Sequence, residues 1–259
     1  MENNKPKVLL LDIETSPIIA SVWGIWNQNI PLNMIEKDWS ILSYAAKWLG
    51  ENKVYYNDVR GQKNINDDKK MLKGIWKLLD EADVIVTQNG KKFDIKKLNA
   101  RFIINGMLPP SSFKHIDTKQ IASRNFAFTS NKLEYMAEKL NLKQKKSKHK
   151  KFSGFELWRQ CLLNNIDAWN EMEHYNKQDV FTLEELYLKL RGWDNQGVNF
   201  NVFVDDGSPC CGTCGHTKLM KKGFQVSKTG RYQRFLCRNC GSQFRGRKNL
   251  NKNIKIVNL

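Results

Sequence analysis

An apolar run followed by two spaced acids, close to the start of the chain, constrains the fold more than any other feature. Residues Val8 to Leu11 are apolar, Asp12 and Glu14 follow them, and Pro17 closes the segment. Such a run predicts a fully buried strand, on which side chains two apart share a face. The carboxylates of Asp12 and Glu14 are then neighbours, and they repel each other unless a cation lies between them. The pair is therefore a candidate metal site, with an exposed strand end as the alternative.

Strand and helix patterns alternate over the following residues. Strands are predicted at 41–48, 53–58, 83–87 and 113–118. Helices are predicted at 67–80, 93–104, from 119 onward, and at 132–140, 154–163 and 167–191. An antiparallel pair followed by alternating strands and helices indicates an α/β domain with a mixed sheet flanked by helices. The Asn66-Asp67 pair is expected to cap the first long helix.

Two stretches of the chain lack a clear period. Residues 18–35 contain Trp23 and Trp26, which we assign to core or lid packing, with base stacking as the alternative. Residues 143–151 are dense in lysine and predict an exposed loop, which either contacts phosphates or is simply solvated.

Two further acids follow later elements of the predicted sheet. Asn89-Gly90 is a turn signal, so Asp94 lies in the first turn of the next helix, beside the carboxyl end of a strand. An acid at a helix N-terminus is also favoured by the helix dipole alone. Tyr175 and Asp179, four apart, share one helix face at the border of an apolar stripe. An inward-facing Asp needs a partner, for which a metal ion is suitable, whereas Tyr175 can also be an ordinary core residue.

Taken in order, these motifs resemble those of the DEDD 3′–5′ exonuclease superfamily. The matching residues are Asp12-x-Glu14, Asn89-Gly90-x-x-Phe93-Asp94 and Tyr175-x-x-x-Asp179. The tyrosine is similar to that of the tyrosine-type branch, which includes the proofreading domain of family-B DNA polymerases. The resemblance covers roughly residues 7–191 and implies an RNase H-like fold. Many relatives have His where this chain has Gln88, a difference that bears on substrate contacts rather than on the four acids.

The resemblance also implies a site and a reaction. Asp12, Glu14, Asp94 and Asp179 would hold two Mg²⁺ or Mn²⁺ ions for hydrolysis of a phosphodiester bond. Tyr175 would position or deprotonate the attacking water, and we favour positioning because a phenol has a reference pKa of about 10. Asn89 and Phe93 are candidates for contact with the terminal nucleotide, although Phe93 can equally belong to the core.

The C-terminal region has a separate metal signature. Cys211-Gly-Thr-Cys214 and Cys237-Arg-Asn-Cys240 are two Cys-x2-Cys pairs separated by 22 residues, and a glycine follows each pair. This spacing predicts one Zn²⁺ in a four-cysteine zinc ribbon. Two alternative ligands remain open, Cys210 next to Cys211 and His216 in place of a thiolate.

Charge is concentrated in the same region. The formal net charge of the chain is +17, and residues 205–259 have 12 Lys/Arg against 2 acids. Such an excess favours a polyanionic partner, most commonly nucleic acid. Basic residues interleaved with aromatics fit phosphate contact and base stacking, although a solvated surface is the alternative. The candidate contacts are Arg231, Arg234, Arg238 and Arg245. The surrounding segment resembles zinc ribbons attached to transposases and other DNA-acting proteins.

Together these features predict an RNase H-like exonuclease domain at 1–192, a linker at 193–207 and a zinc ribbon with a basic tail at 208–259. The expected activity is metal-dependent 3′–5′ hydrolysis of DNA, more specifically of single strands. The alternatives are an exoribonuclease, a non-catalytic nucleic-acid-binding protein built on the nuclease fold, and a sequence-specific regulator acting through the ribbon. No run of 18 apolar residues and no signal-peptide pattern occurs, so we expect a cytoplasmic protein without a membrane partner.

Overall fold

The computed structural model describes residues 6–144, 151–204 and 207–251. Most of the lysine-dense segment predicted at 143–151 lies outside these residues. The larger unit contains seven strands: β1 (Val8–Thr15), β2 (Ile19–Ala20), β3 (Ile35–Lys37), β4 (Ile41–Trp48), β5 (Tyr55–Asp58), β6 (Val84–Thr87) and β7 (Lys114–Asp117). Its helices are α1 (Lys69–Glu81), α2 (Asp94–Ile104), α3 (Thr118–Asn125), α4 (Leu133–Lys139), α5 (Glu156–Leu162) and α6 (Ile166–Leu190).

The central sheet is mixed, and its order is β5-β4-β1-β6-β7. The consecutive strands β4 and β5 form an antiparallel hairpin, and β4 also pairs antiparallel with β1, with Leu9 opposite Trp48. Helix α1 precedes β6 and helix α2 precedes β7. Because these connections cross back over the sheet, β6 runs parallel to β1 and β7 runs parallel to β6. The predicted α/β fold with a mixed sheet flanked by helices is therefore confirmed.

Strand β1 lies in the middle of the sheet and contributes to the core on both of its faces. Leu9, Leu11 and Ile13 belong to one buried cluster, and Val8 and Leu10 belong to another. Because side chains alternate along a strand, the face of Val8 and Leu10 continues toward the end of the strand. The next two positions on that face are the acids at 12 and 14, so the apolar core gives way there to carboxylates.

Two local expectations differ from the structure. Trp23 and Trp26 do not pack in the core, because they are 95% and 83% exposed on the segment that connects β2 and β3. Helix α1 begins two residues later than predicted, and its first residue Lys69 donates its backbone N–H to Asp67. Asp68, which precedes the helix, pairs instead with Arg101 of α2.

Residues 207–251 form a second, smaller unit that we call the cysteine ribbon. It contains β8 (Leu219–Ser227), β9 (Gly230–Cys237) and β10 (Gln243–Asn249) in the antiparallel order β10-β9-β8. Gly192, just beyond the end of α6, lies against the backbone of Cys240. A Cβ atom at position 192 would overlap the carbonyl oxygen of Cys240. The backbone N–H of Phe200 donates to Gly212 at 2.6 Å, and Phe200 itself is buried with the larger unit. The ribbon is thus packed on the larger unit through the connecting segment.

Candidate metal-dependent active site

Three acids predicted from the sequence converge in one place. Oxygen atoms of Asp12 and Glu14 on β1 and of Asp179 on α6 all lie within 4.8 Å of one another. Strand β1 supplies two carboxylates from one face, and α6 crosses that face with its buried side toward the sheet. The sequence predicts that four acids hold the metal ions, and this group contains three of them.

The fourth acid lies beside these three but is held differently. Asp94 begins α2, is buried, and accepts a hydrogen bond from the backbone N–H of Ile13 at 3.2 Å. It is not part of the three-acid group. It nevertheless lines the same cavity, of about 340 Å³, as the other three acids.

The donor set of this cavity fits divalent cations. Mg²⁺ takes oxygen ligands at about 2.0–2.1 Å, so neighbouring ligand oxygens around one ion lie about 3–4 Å apart. The separation limit of 4.8 Å between the three acids is compatible with that spacing. Carboxylate oxygens alone favour Mg²⁺ or Mn²⁺ over softer metals. Asp12, Glu14 and Asp179 can therefore hold such an ion, and Asp94 lines the same cavity.

Burial governs the protonation of Asp94. The loss of hydration raises the pKa of its carboxyl to about 7, and the neighbouring charge of Asp117 acts in the same direction. The backbone N–H of Ile13 opposes this shift. A nearby cation would favour the ionised form of Asp94, so its chemistry is suited to a site that carries positive charge.

Tyr175 lies one helical turn before Asp179 and belongs to the same cavity. It is only 6% exposed, and its ring meets that of Trp158 edge to face at a centroid distance of 6.1 Å. Burial raises the pKa of its phenol far above the usual value, and the charges of Asp179, Glu14 and Asp12 raise it further. The side chain is therefore a hydrogen-bonding phenol in this environment.

Three residues that the sequence analysis did not single out position the acids. The side-chain amide of Asn176 donates to Asp12 at 2.6 Å, and its carbonyl accepts from the hydroxyl of Ser43 at 3.1 Å. The indole N–H of Trp158 on α5 donates to Glu14 at 3.2 Å. Asn176 precedes Asp179 by three residues on the buried face of α6. This spacing is the one sequence signal that points to Asn176 as part of the site.

A buried acid accepts hydrogen bonds from the backbone of the loop between β6 and α2. Asp117 accepts the backbone N–H groups of Asn89 at 2.9 Å and Lys91 at 3.2 Å. Asn89 adopts a left-handed conformation, with a φ of 70°, which asparagine tolerates better than most residues. Gln88 donates to the carbonyl of Asn131 at 2.7 Å, so its amide has a fixed orientation.

The rim of the cavity carries an aromatic ring, a side-chain amide and two lysines. Phe93 lines the cavity and is 38% exposed, so it lies outside both core clusters. Asn89 lines the same cavity, as do Lys119 and Lys132. The two lysines were not among the sequence candidates, because an isolated lysine gives no motif.

The four predicted cysteines also converge. Cys211 and Cys240 have sulfur atoms 3.6 Å apart, and those of Cys214 and Cys237 are 3.7 Å apart. A tetrahedral zinc with Zn–S bonds of about 2.3 Å places its sulfurs about 3.8 Å from each other, so the cluster fits a zinc ribbon.

The alternative zinc ligands have other partners. The thiol of Cys210 lies 3.1 Å from the side-chain oxygen of Asn201. Nδ1 of His216 accepts the backbone N–H of Lys218 at 3.0 Å. Neither residue belongs to the group of four sulfurs.

The four candidate arginines of the cysteine ribbon do not form one cluster. Arg234 and Arg245 are paired across β9 and β10, and Arg245 stacks on Tyr232 at 4.0 Å. Arg231 stacks on Phe224 at 3.8 Å, on the opposite face of the sheet because it is an odd number of residues from Arg234. Arg238 lies within the second cysteine pair and contacts Met220.

Comparison with known proteins agrees with the fold. The RNase_H superfamily model matches residues 41–191, which include Asp94, Tyr175 and Asp179 but begin after β1. A solved family B DNA polymerase from the hyperthermophilic archaeon Pyrobaculum calidifontis is similar in structure, with a TM-score of 0.53 and 15% identity. The similarity covers 76% of this chain and 27% of the polymerase. No curated protein sequence matches the chain.

The fold and the acidic cavity together define an RNase H-like domain with a candidate site for divalent cations. The family match spans more than half of the chain, and the chain belongs to the RNase H superfamily. Among the residues that the structure describes, no helix is both long and apolar enough to cross a membrane.

Proposed function

We propose that this protein is a metal-dependent 3′–5′ exonuclease of the DEDD type that acts on DNA, with single strands as the first choice. The observation that carries the proposal is the meeting of Asp12, Glu14 and Asp179 within 4.8 Å, in a cavity that Asp94 and Tyr175 also line. DNA is favoured over RNA because the motifs resemble those of polymerase proofreading domains, and because a structural neighbour is a DNA polymerase.

Two Mg²⁺ or Mn²⁺ ions, when bound, would supply an activated water and neutralise the charge that develops on the leaving oxygen. The four acids would hold these ions, and Asn176 and Trp158 keep two of the carboxylates in place. Tyr175 would orient the attacking water by a hydrogen bond, since a buried phenol is a poor base near neutral pH.

Contacts around the cavity would fix the end of the strand. Phe93 presents part of its ring to the cavity, where it can contact a terminal base. Lys119 and Lys132 can neutralise phosphates, and Asn89 can form a hydrogen bond. In this proposal, residues 1–192 catalyse, residues 193–207 connect, and residues 208–259 bind Zn²⁺ and nucleic acid.

The direction and the chemistry can be tested on one set of substrates. We would incubate the full chain and Mg²⁺ with matched single- and double-stranded DNA and RNA, each labelled at either end. A 5′-labelled strand should shorten stepwise, whereas a 3′-labelled strand should release labelled mononucleotide at once. Shortening from the 5′ end, or internal cuts, would contradict the proposal.

A matched pair of variants separates catalysis from binding. Asp179→Asn removes a cavity carboxylate, and Asp167→Asn removes an exposed one from the first turn of the same helix. We expect the first variant to lose at least about 100-fold in rate and the second to retain activity. Binding without cleavage by the unaltered chain would favour the alternative of a non-catalytic binding protein.

A further inference from the structure

The cysteine ribbon lies at the end of the sheet opposite the acidic cavity. Gly192, which contacts Cys240, is 13 residues beyond Asp179 along α6 and its extension. Cys214 and Gly215 line a cavity together with Val8, at the start of β1. Helix α6 and strand β1, which carry the acids, therefore both run from the acidic cavity to the ribbon.

Two independent elements give the same separation. Thirteen helical residues at 1.5 Å each span about 20 Å. The six steps between consecutive residues from Val8 to Glu14, at about 3.3 Å each, also span about 20 Å. The four cysteines are thus about 20 Å from the acids, so they do not contact the nucleotide that is being removed.

One face of the ribbon is built to receive an anion. Tyr232 and Arg234 are two apart on β9 and share a face, and Arg245 is the cross-strand partner of Arg234 on that face. Like charges directly opposite each other destabilise a sheet unless an anion lies between them. Arg245 is stacked flat on Tyr232, and the Nε of Arg234 donates to the carbonyl of Lys222 at 2.9 Å. Both guanidinium groups are thereby ordered, which lowers the entropy cost of binding.

The charge around this face is of one sign. From residue 207 to residue 251 the chain has 10 Lys/Arg and no Asp or Glu. Four thiolates and one zinc would remove only two of these charges. A nucleic-acid strand, which combines phosphates with stackable bases, suits the paired arginines and the adjacent tyrosine better than an acidic peptide does.

We propose that Tyr232, Arg234 and Arg245 bind the substrate strand several nucleotides upstream of the 3′ end and so give the nuclease a length requirement. This inference rests on the proposed function for the identity of the end that is cut. Arg234 is three residues from Cys237, so the face lies about 10–30 Å from the acids. At the 3.4 Å rise per nucleotide of a strand in duplex DNA, this distance corresponds to at most about three to nine nucleotides, and an extended single strand would span it with fewer.

The test measures binding as a function of length. Fluorescence anisotropy would use the full chain with Asp179→Asn, and labelled oligonucleotides of about 3, 6, 9, 12 and 18 nucleotides that share one 3′ sequence. We expect the Kd to fall about tenfold or more between three and twelve nucleotides and then to level off. Adding Arg234→Gln and Arg245→Gln should abolish this fall and reduce the slope of log K against log salt by about two.

A charge-matched control excludes a general electrostatic effect. Lys73→Gln with Lys77→Gln removes two exposed cations from α1 and should leave the length dependence intact. Zinc content and thermal unfolding would show that every variant is folded. If the double arginine variant kept the full length dependence, or if the lysine control lost it equally, the inference would be overturned.

Failure of the proposed function gives a different result. Length-dependent binding that requires the arginines, in a chain that cleaves no substrate, would support the ribbon contact and refute the exonuclease. Cleavage at the 3′ end whose KM is independent of length would do the reverse.

Discussion

The side-chain amide of Asn176 donates to Asp12 across 2.6 Å, which connects the buried face of α6 to strand β1. The hydroxyl of Ser43 on β4 donates in turn to the carbonyl oxygen of the same amide. The hydrogen bond from Ser43 thus fixes the orientation of the Asn176 amide, and the amide holds one oxygen of Asp12. A carboxylate held in this way costs less to organise around a cation than one that rotates freely.

We therefore expect Asn176→Ala to weaken divalent-metal binding by about 10–100-fold, because partners of metal ligands typically contribute that much. Titration of activity with Mn²⁺ would show a higher half-saturating concentration, while the rate at saturation would change less. Asn170→Ala, an exposed asparagine on the same helix, is the matched control. Equal metal dependence in the two variants would contradict the role of Asn176.

Trp158→Phe separates the hydrogen bond of the indole from its packing. The substitution removes the N–H that donates to Glu14 and keeps an aromatic ring against Tyr175. We expect a several-fold loss of activity with a loss of unfolding free energy of about 1.5–3 kcal/mol, as for one hydrogen bond to a charged group. Parallel measurement of rate and urea unfolding would check this, and a loss of stability without a loss of rate would refute it.

Local sequence patterns were sufficient for the elements that carry the acids. The apolar run before Asp12, the turn before Asp94 and the stripe on α6 each reflect a periodicity of one element. Contacts between distant elements have no such trace. Asn176 meets Asp12, and Trp158 meets Glu14, only because α5 and α6 fold over β1.

The exposed tryptophans show a second limit of prediction from the sequence. Large aromatic residues usually pack, so the sequence predicts that Trp23 and Trp26 lie in the core or in a lid. The short pairing of β2 with β3 instead carries their connection away from the core, and both rings are exposed. Composition alone does not reveal such a connection. The placement of the cysteine ribbon opposite the acids is likewise a property of the packed chain.

The buried ion pair between Asp68 and Arg101 should matter more for stability than any exposed pair. Asp68 is fully buried, receives two hydrogen bonds from the guanidinium at 2.7 and 2.8 Å, and also accepts the backbone N–H of Ile41. Asp68→Ala should cost about 3–5 kcal/mol, because it leaves a partly buried cation unpaired. Urea unfolding would measure the loss. Glu81→Gln, which breaks an exposed pair with Lys7, should change the midpoint little.

His115 should make the stability of the fold depend on pH. Burial lowers the pKa of its imidazole to about 4, opposed by the charge of Asp117 and aided by that of Lys91. Between pH 6.5 and about 4 the unfolded His115 binds a proton that the folded one does not, so the contribution of His115 to stability falls as the pH falls through this window. The raised pKa of Asp94 contributes in the opposite direction over much of the same window. His115→Gln, which can still hydrogen-bond to Thr87, should remove this contribution, so that lowering the pH through the window costs less stability than in the unaltered chain.

Urea midpoints at pH values from about 4.5 to 7 would measure this dependence. His174→Gln changes an exposed histidine and serves as the control, with a profile close to that of the unaltered chain. An equally steep profile in His115→Gln would assign the pH dependence to other groups.

Gly192 permits the close approach of the cysteine ribbon to the end of α6. A Cβ atom there would overlap the backbone carbonyl oxygen of Cys240, and backbone cannot move aside as a flexible side chain can. Gly192→Ala should therefore shift the ribbon and destabilise the chain by about 1–3 kcal/mol, as overpacked sites do. Gly24→Ala, where an added Cβ meets nothing within 4 Å, is the control. Thermal unfolding and the rate of zinc loss to a chelator would measure both effects. If the two alanine variants were indistinguishable, the contact between Gly192 and Cys240 would not hold the ribbon in place, and a fixed distance of about 20 Å between ribbon and acids would lose its structural basis.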